Sequence, residues 1–398
     1  MSYKDSACIR NNIIKQEMTM KNLNQSIVCS LVVAAAFVVN GDVVMPNTST
    51  IADIQSAIDN AQPGEVIALA DGTYTLNQTL YVTNGVTLTG SGRDACILAG
   101  DGATKLDAAL VVDHADACVK NLTISGITTG TAYNFTGVGA QIKAGLFTQA
   151  RVTGCKSLAA NYTVNRTAGV SLNGTKAVMT HCMIDHNEGT AGSNLGGVRI
   201  HKSGGTMVNC IVWANHGVNA GGVSIVPDAW QHVKIVNCTI VGNSAAARSG
   251  GVAIEANVSY FWYNNVFYGP ELVNTIISGN TSPDSEDLYF SFDDETRQSE
   301  TGFNCLCPTA TYGTNPQTGS PLFKSPDAGD FRLKSRSPGS SVGDADKAAS
   351  VLGYSLVGTL DFYGQPRVKF VSRKGVADID IGATESKYSP SGFRISFR

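Results

Sequence analysis

Charge is scarce in this chain. Asp, Glu, Lys and Arg make up only 15% of its 398 residues and balance to a net −3. No basic field is available to attract nucleic acid, and disorder sustained by self-repelling charge is excluded too. Proline is also scarce, with 12 residues against 42 glycines, a balance that favours tight turns. No apolar run reaches membrane-spanning length. Ile27 to Val39, interrupted only by Cys29 and Ser30, is short for a span and right for the core of a signal peptide.

Residues 1–41 therefore read as a signal peptide with an upstream extension. Cleavage is expected after Ala36 or Gly41, and translation is expected to start at Met18 or Met20. Cys29 lies inside the apolar core rather than after it, so lipid attachment there is not expected.

What the chain has in abundance is repetition. VTGCKSLAAN, MTHCMIDHN, MVNCIVWAN and IVNCTIVGN carry Cys155, Cys182, Cys210 and Cys238, spaced 27, 28 and 28 residues apart. In the last three an Asn follows five positions later: Asn187, Asn215 and Asn243. LVNTIISGN continues the series with Thr275 and Asn280, after the insertion SYFWYNNVFYGPE, and VKNLTISG places Leu122 in the cysteine slot. A second repeat interleaves with the first. Gly169-Val170, Gly196-Gly197-Val198, Gly221-Gly222-Val223 and Gly250-Gly251-Val252 each open a short run of alternating apolar residues.

Alternation by two predicts strands. Coils of about 28 residues cannot bury their own apolar faces, so they must stack at about 4.8 Å with like slots over like. The fold expected is an all-β parallel solenoid. Its interior is predicted to carry a column of buried free thiols. An Asn column is predicted beside it, tolerant of left-handed turns and bonded from coil to coil. Cys305 and Cys307 fall in a polar stretch and could pair with a distant partner; no His or second Cys-x-Cys follows at metal-ligand spacing. At the front, Ser49 or Thr50 can cap a helix over 50–61, with Ile51, Ile54, Ala57, Ile58 and Ala61 on one face.

The segment IADIQSAIDNAQPGEVIALADGTYTL resembles the opening of the pectin-lyase-like superfamily. SPLFKSPDAGDFRLKSRSPGSS, DFYGQPR (Asp361 to Arg367) and DIDIGATE (Asp378 to Glu385) resemble the closing module of the choice-of-anchor Q group of exported β-helix proteins. The resemblance spans roughly residues 50 to 386. It departs at Gly339-Ser340-Ser341 and at Thr384, where an aromatic is usual. It implies a single-stranded right-handed parallel β-helix over 42–300, a short N-terminal capping helix, and an irregular β-rich C-terminal module over 301–390. It also implies a bacterial protein, secreted or on the cell surface. The chain end SPSGFRISFR shows no apolar span or sorting motif. A monomer without a stable membrane span after signal removal is expected.

On a β-helix, outward side chains of successive coils form columns that can grip a linear glycan. If Val198 and Ile200 face in, Arg199 and His201 face out beside Lys202. The next coil brings Asp228, Trp230 and His232, and the one after it brings Glu255 into the His201 column, about 10 Å away. Arg199, His201 and Glu255 are the catalytic candidates, and Lys202, Asp228, Trp230 and His232 are candidates for holding substrate. A solvated face with one aromatic in a turn accounts for the same residues. Asp185 and His186, with Trp213 one coil on, form a second binding candidate, although Asp and His are ordinary in such turns. No coil carries three closely spaced carboxylates, which disfavours a two-carboxylate hydrolase. No metal site is expected. Ca²⁺ is an option only at the acidic stretch Ser282 to Glu295, where a solvated loop is the plainer reading. Two functions stay open: a binding protein for polysaccharide or another surface partner, and a polysaccharide lyase acting on acidic glycans.

Overall fold

The computed structural model describes residues 37–39, 42–129, 137–158, 166–190, 192, 194–227, 232–255, 262, 263, 266, 267, 269–309, 311–368, 370, 371 and 377–386. The signal-peptide expectation falls almost wholly outside them. Phe37–Val39 pairs antiparallel with Asp42–Met45, which in turn pairs parallel with Val66–Leu69 and begins the stack. Among the described residues no helix is long and apolar enough to cross a membrane.

The chain is a right-handed parallel β-helix. The coil starting at Val198 shows the plan. Val198–Lys202 lies beside Val223–Pro227 of the next coil, Gly205–Val208 beside Val233–Val236, and Ile211–Trp213 beside Thr239–Val241. A two-residue strand, His216–Gly217, completes the turn against Ser244–Ala245. Val198, Ile200, Met207 and Val212 all enter one continuous core. The paired glycines before each first strand are there because the coils approach too closely for a side chain. A Cβ on Gly197 would sit 2.4 Å from the carbonyl oxygen of Gly222.

Each coil turns at two left-handed residues. The first precedes the cysteine slot: Asn121, Gln149, His181, Asn209, Asn237, Asn274 and Asn304 have φ between 48° and 56°. The second precedes the Asn slot: His186, Ala214, Gly242 and Gly279 have φ between 51° and 66°. The left-handed turn therefore belongs to these residues and not to the Asn column itself.

The Asn column works through its amides. Asn215 Oδ1 accepts from Asn187 N and Nδ2, both at 3.0 Å, and Asn243 Oδ1 accepts from Asn215 N at 3.0 Å and Nδ2 at 2.9 Å. Asn280 continues the ladder, and Asp287 Oδ1 closes it by accepting from Asn280 N and Nδ2. All four Asn side chains are buried, and each amide is satisfied by the coil beside it.

The cysteine column needs a correction. Arg151–Thr153 pairs with Met183–Asp185, a step of 32 residues rather than 27. Ala150 therefore stands beneath Cys182, and Cys155 stands in the Asn slot, its N–H donating to Asn187 Oδ1 at 3.0 Å. The step between these strands is four residues longer than the next, at 32 against 28, so the 27-residue cysteine spacing does not mark like slots. The column runs Cys96, Leu122, Ala150, Cys182, Cys210, Cys238, Thr275 and Cys305. Its cysteines are buried free thiols, as expected. Cys305 and Cys307 do not sit in a polar loop. Both are buried, because Asn304-Cys305 is one further copy of the repeat.

The front helix runs Ile51–Asn60. Thr50 caps it in a reciprocal box with Asp53, and Ile51, Ile54 and Ile58 are buried. Asn84 Nδ2 donates to the carbonyls of Ile58 and Ala61 and so satisfies the helix end.

The C-terminal segment does more than close the end of the stack. It folds back along the side of the coils. Phe331, Leu333, Phe362 and Ile381 cover Ile211, Val241, Ile276 and Leu306, while the helix Ala345–Leu352 and Ile379 cover Val236 and Val273. The two motifs DFYGQPR and DIDIGATE hold this segment together. Asp361 accepts from Tyr363 N, Gln365 N and Glu385 N at 2.9, 2.7 and 2.7 Å. Arg367, fully buried, pairs with Glu385 at 3.2 Å and donates to Asp380 O at 2.9 Å.

Candidate functional site

The first predicted face is covered. Arg199 is 3% exposed and His201 4%, and their neighbours Ser171, Ser224 and Ala253 are buried as well. The same column runs on through Ala253 to Tyr289, and Ala253 joins Leu195 and Ala220 in a small apolar cluster on this face, with Tyr289 packed against it. The register expectation holds: Ile200 lies beside Ile225 and Ile225 beside Ile254, so Glu255 stands in the His201 column. Burial pulls the Arg199 guanidinium down to about 10, and Glu255 partly offsets it. Glu255 is also ion-paired with Arg248. His232 is half-buried, and burial lowers its pKa. Asp228, Trp230 and the side chain of Lys202 lie outside the described residues.

The second predicted group is brought together. Thr153, Asp185, Trp213, Val241 and Ser278 occupy one outward column on successive coils. Asp185, 0% exposed, accepts from Arg151 Nε at 2.8 Å, Arg151 Nη2 at 2.7 Å and Thr153 Oγ1 at 3.0 Å, with His186 Nδ1 at 2.8 Å. Its bonds hold the Arg151 guanidinium above its ordinary value. With both oxygens committed, Asp185 is a fixed orienter rather than a free acid or base. His186 meets the Trp213 ring edge-on at 4.7 Å, and Trp213 meets Phe331 at 5.4 Å.

The C-terminal segment supplies the opposite wall, and the turn at Arg93-Asp94 supplies one end. A hollow of about 570 Å³ is lined by Arg93, Asp94, Gln149, His181 and residues Leu360 to Gly364. A second, of about 390 Å³, adds Arg151, Met183, Asp330 and Arg332 and shares Arg93, Asp94, Phe362 and Tyr363 with the first. A third, of about 390 Å³, follows on beyond Gly329, with Trp213, Val241, Gly242, Ser278, Phe323 and Phe331. These volumes are of ligand-pocket size. Arg93 lies over the Phe362 ring at 4.3 Å, and Arg332 over Tyr363 at 5.2 Å. Arg332 also grips Asp330 at 2.8 and 2.6 Å, holding that carboxyl below its usual range. Tyr363 Oη donates to Gly329 O at 3.0 Å, and His181 Nε2 lies 2.9 Å from Leu360 O. The result is a seam that follows the coils, rich in charge at the Arg93 end and in aromatic rings beyond Trp213, where Asp327 is the charged residue of the lining.

Sequence reasoning found Asp185, His186 and Trp213 but missed Arg93, Arg332 and Tyr363. Tyr363 sat inside a quoted motif, and Arg93-Asp94 stand just before the first ladder cysteine, Cys96, with Ala95 between, yet neither position revealed that the end module lies beside these coils.

Several carboxylates of the acidic stretch already have partners within the chain. Asp284 accepts from Arg248 N, Asp287 is spent on Asn280 and Thr309, and Asp294 caps the helix Glu295–Glu300. Among the described residues no three ligating side chains gather for a metal.

No family model and no curated protein matches the chain. Solved structures similar to it include a pectate lyase, at 16% identity over 83% of this chain and 90% of that one, with a TM-score of 0.39. A pectin methylesterase in complex with a hexasaccharide gives 13%, 72%, 94% and 0.32. The A-module of a mannuronan C-5 epimerase of Azotobacter vinelandii gives 14%, 72%, 94% and 0.25. Likeness at this level assigns neither activity nor ligand.

Proposed function

We propose that this chain is an exported extracellular or cell-surface β-helix protein of the choice-of-anchor Q kind that binds polysaccharide without cleaving it. The ligand lies in the seam. The observation that carries this reading is the run of hollows along successive coils, lined by Trp213, Phe362 and Tyr363 and by paired arginines and carboxylates. Aromatic rings suit the C–H faces of sugars. Committed carboxylates such as Asp185 suit binding better than proton transfer. The test is titration of the purified chain against a glycan panel, with ultraviolet absorbance to detect unsaturated products. Binding without product is expected, weakened in Trp213→Ala and Tyr363→Ala. Product formation would overturn the non-catalytic reading.

A second reading, a polysaccharide lyase working through Arg199, His201 and Glu255, is favoured by the shared column of His201 and Glu255. It requires Arg199 and His201, both buried, to become accessible to substrate. Unsaturated product that disappears in His201→Ala but persists in Trp213→Ala would select it.

A further inference from the structure

The charge of the ligand follows from how the seam's ionic groups are already used. We infer that the seam takes neutral sugar units and disfavours acidic glycan; this rests on the seam being the glycan site. Arg151 is held bidentate by Asp185, and Arg332 by Asp330. Arg93 makes no ion pair among the described residues, but Asp94 adjoins it, and the Asp94 charge also reaches Arg151. Asp361 adds a further carboxylate at the same wall, satisfied by backbone amides rather than by a cation. With Asp327 at the far end, three guanidinium groups thus meet five carboxylates. His181 and His186 add positive charge only when protonated.

A polyuronate carries a negative charge on every sugar. To use Arg151 or Arg332 it would have to displace a carboxylate that already makes two charge-assisted bonds. It would also approach a wall with no positive excess, and like-charge juxtaposition costs affinity. A neutral sugar asks for something else. Its vicinal hydroxyls each donate and accept, and the partly exposed Arg332–Asp330 pair presents N–H donors beside carboxylate acceptors without losing its own bond, while Arg151 offers donors alone. The rings of Phe362 and Trp213 complete such a site without adding charge. The end of the seam beyond Trp213, with Val241, Phe323 and Phe331, carries no cation among the described residues and one exposed carboxylate, Asp327, and continues the same preference.

The experiment is isothermal titration of the full chain with cellohexaose, mannohexaose, xylohexaose and hexagalacturonate, each at low and high salt. At least one neutral oligosaccharide should bind, changing by no more than about twofold with salt, and hexagalacturonate should bind about tenfold more weakly or not at all. Hexagalacturonate binding more tightly than the neutral series, with affinity falling as salt rises, would overturn the inference and leave the seam standing. No binding by any of the four would count against both. Asp94→Lys is the second arm. Asp94 is exposed, so the substitution should leave the fold intact by circular dichroism. It should raise hexagalacturonate affinity by about tenfold at low salt. A folded Asp94→Lys chain with no such gain would contradict the charge account.

Discussion

Two outward faces of the same coils carry an arginine, and they differ in what lies over them. On the first strands Arg199 is 3% exposed and is pulled down to about 10 by burial. On the third strands Arg151 borders an open seam and is held up by Asp185. The same residue type in the same pleat position is a desolvated core cation in one place and a cleft group in the other. Outward on a solenoid means away from the coil interior. Whether that reaches solvent depends on a second layer contributed from elsewhere in the chain.

The largest expected effect separates the faces by stability. Asp185→Ala strands Arg151, Thr153 and His186 at once and should cost about 3 kcal/mol in urea denaturation. Glu255→Ala removes the pair with the partly exposed Arg248 and a partial offset to buried Arg199, and should cost less, about 1 kcal/mol. Equal losses would erase the distinction between an anchoring carboxylate and a peripheral one.

Affinity gives the next contrast. Trp213→Ala should weaken glycan binding by about tenfold, and Tyr289→Ala, on the covered face, should leave it unchanged in the same titration. The reverse pattern would move the site to the Arg199 face.

The interior offers a third comparison. Burial pushes the Cys155 and Cys305 thiols up to about 12. At pH 8 their thiolate fraction is on the order of one in 10⁴. Dithionitrobenzoate should leave the buried Cys155 and Cys305 thiols unreacted in the native protein and reach both after denaturation; rapid native labelling of either would mean the interior opens.

The smallest effect concerns pH. His232 has its pKa lowered by burial, so the unfolded chain binds the proton more readily. The stability this group contributes is complete above the unfolded value of about 6.5 and declines as pH falls below it. The urea midpoint should drift down from pH 7 to pH 5, and His232→Gln should flatten the drift slightly.

Much of this was legible from spacing. The Gly-Val repeats located the first strands, because close coil approach excludes a side chain at Gly197. The Asn column was legible because identical amides must stack to satisfy one another. Cys155 was misplaced because a thiol and an amide slot can hold the same residue, and the coil that follows is four residues longer than the repeat, at 32 against 28. The seam was legible only in half. Asp185, His186 and Trp213 lie on repeats, whereas Arg332 and Tyr363 reach them through a segment whose path no local pattern records.

Hydrogen–deuterium exchange with and without a bound neutral hexasaccharide decides between the two faces most directly. The account expects added protection at Arg151–Thr153, Met183–Asp185 and residues 360–364, with Val198–Lys202 unchanged. Protection at Val198–Lys202 and Val252–Ile254, with the seam unchanged, would contradict it.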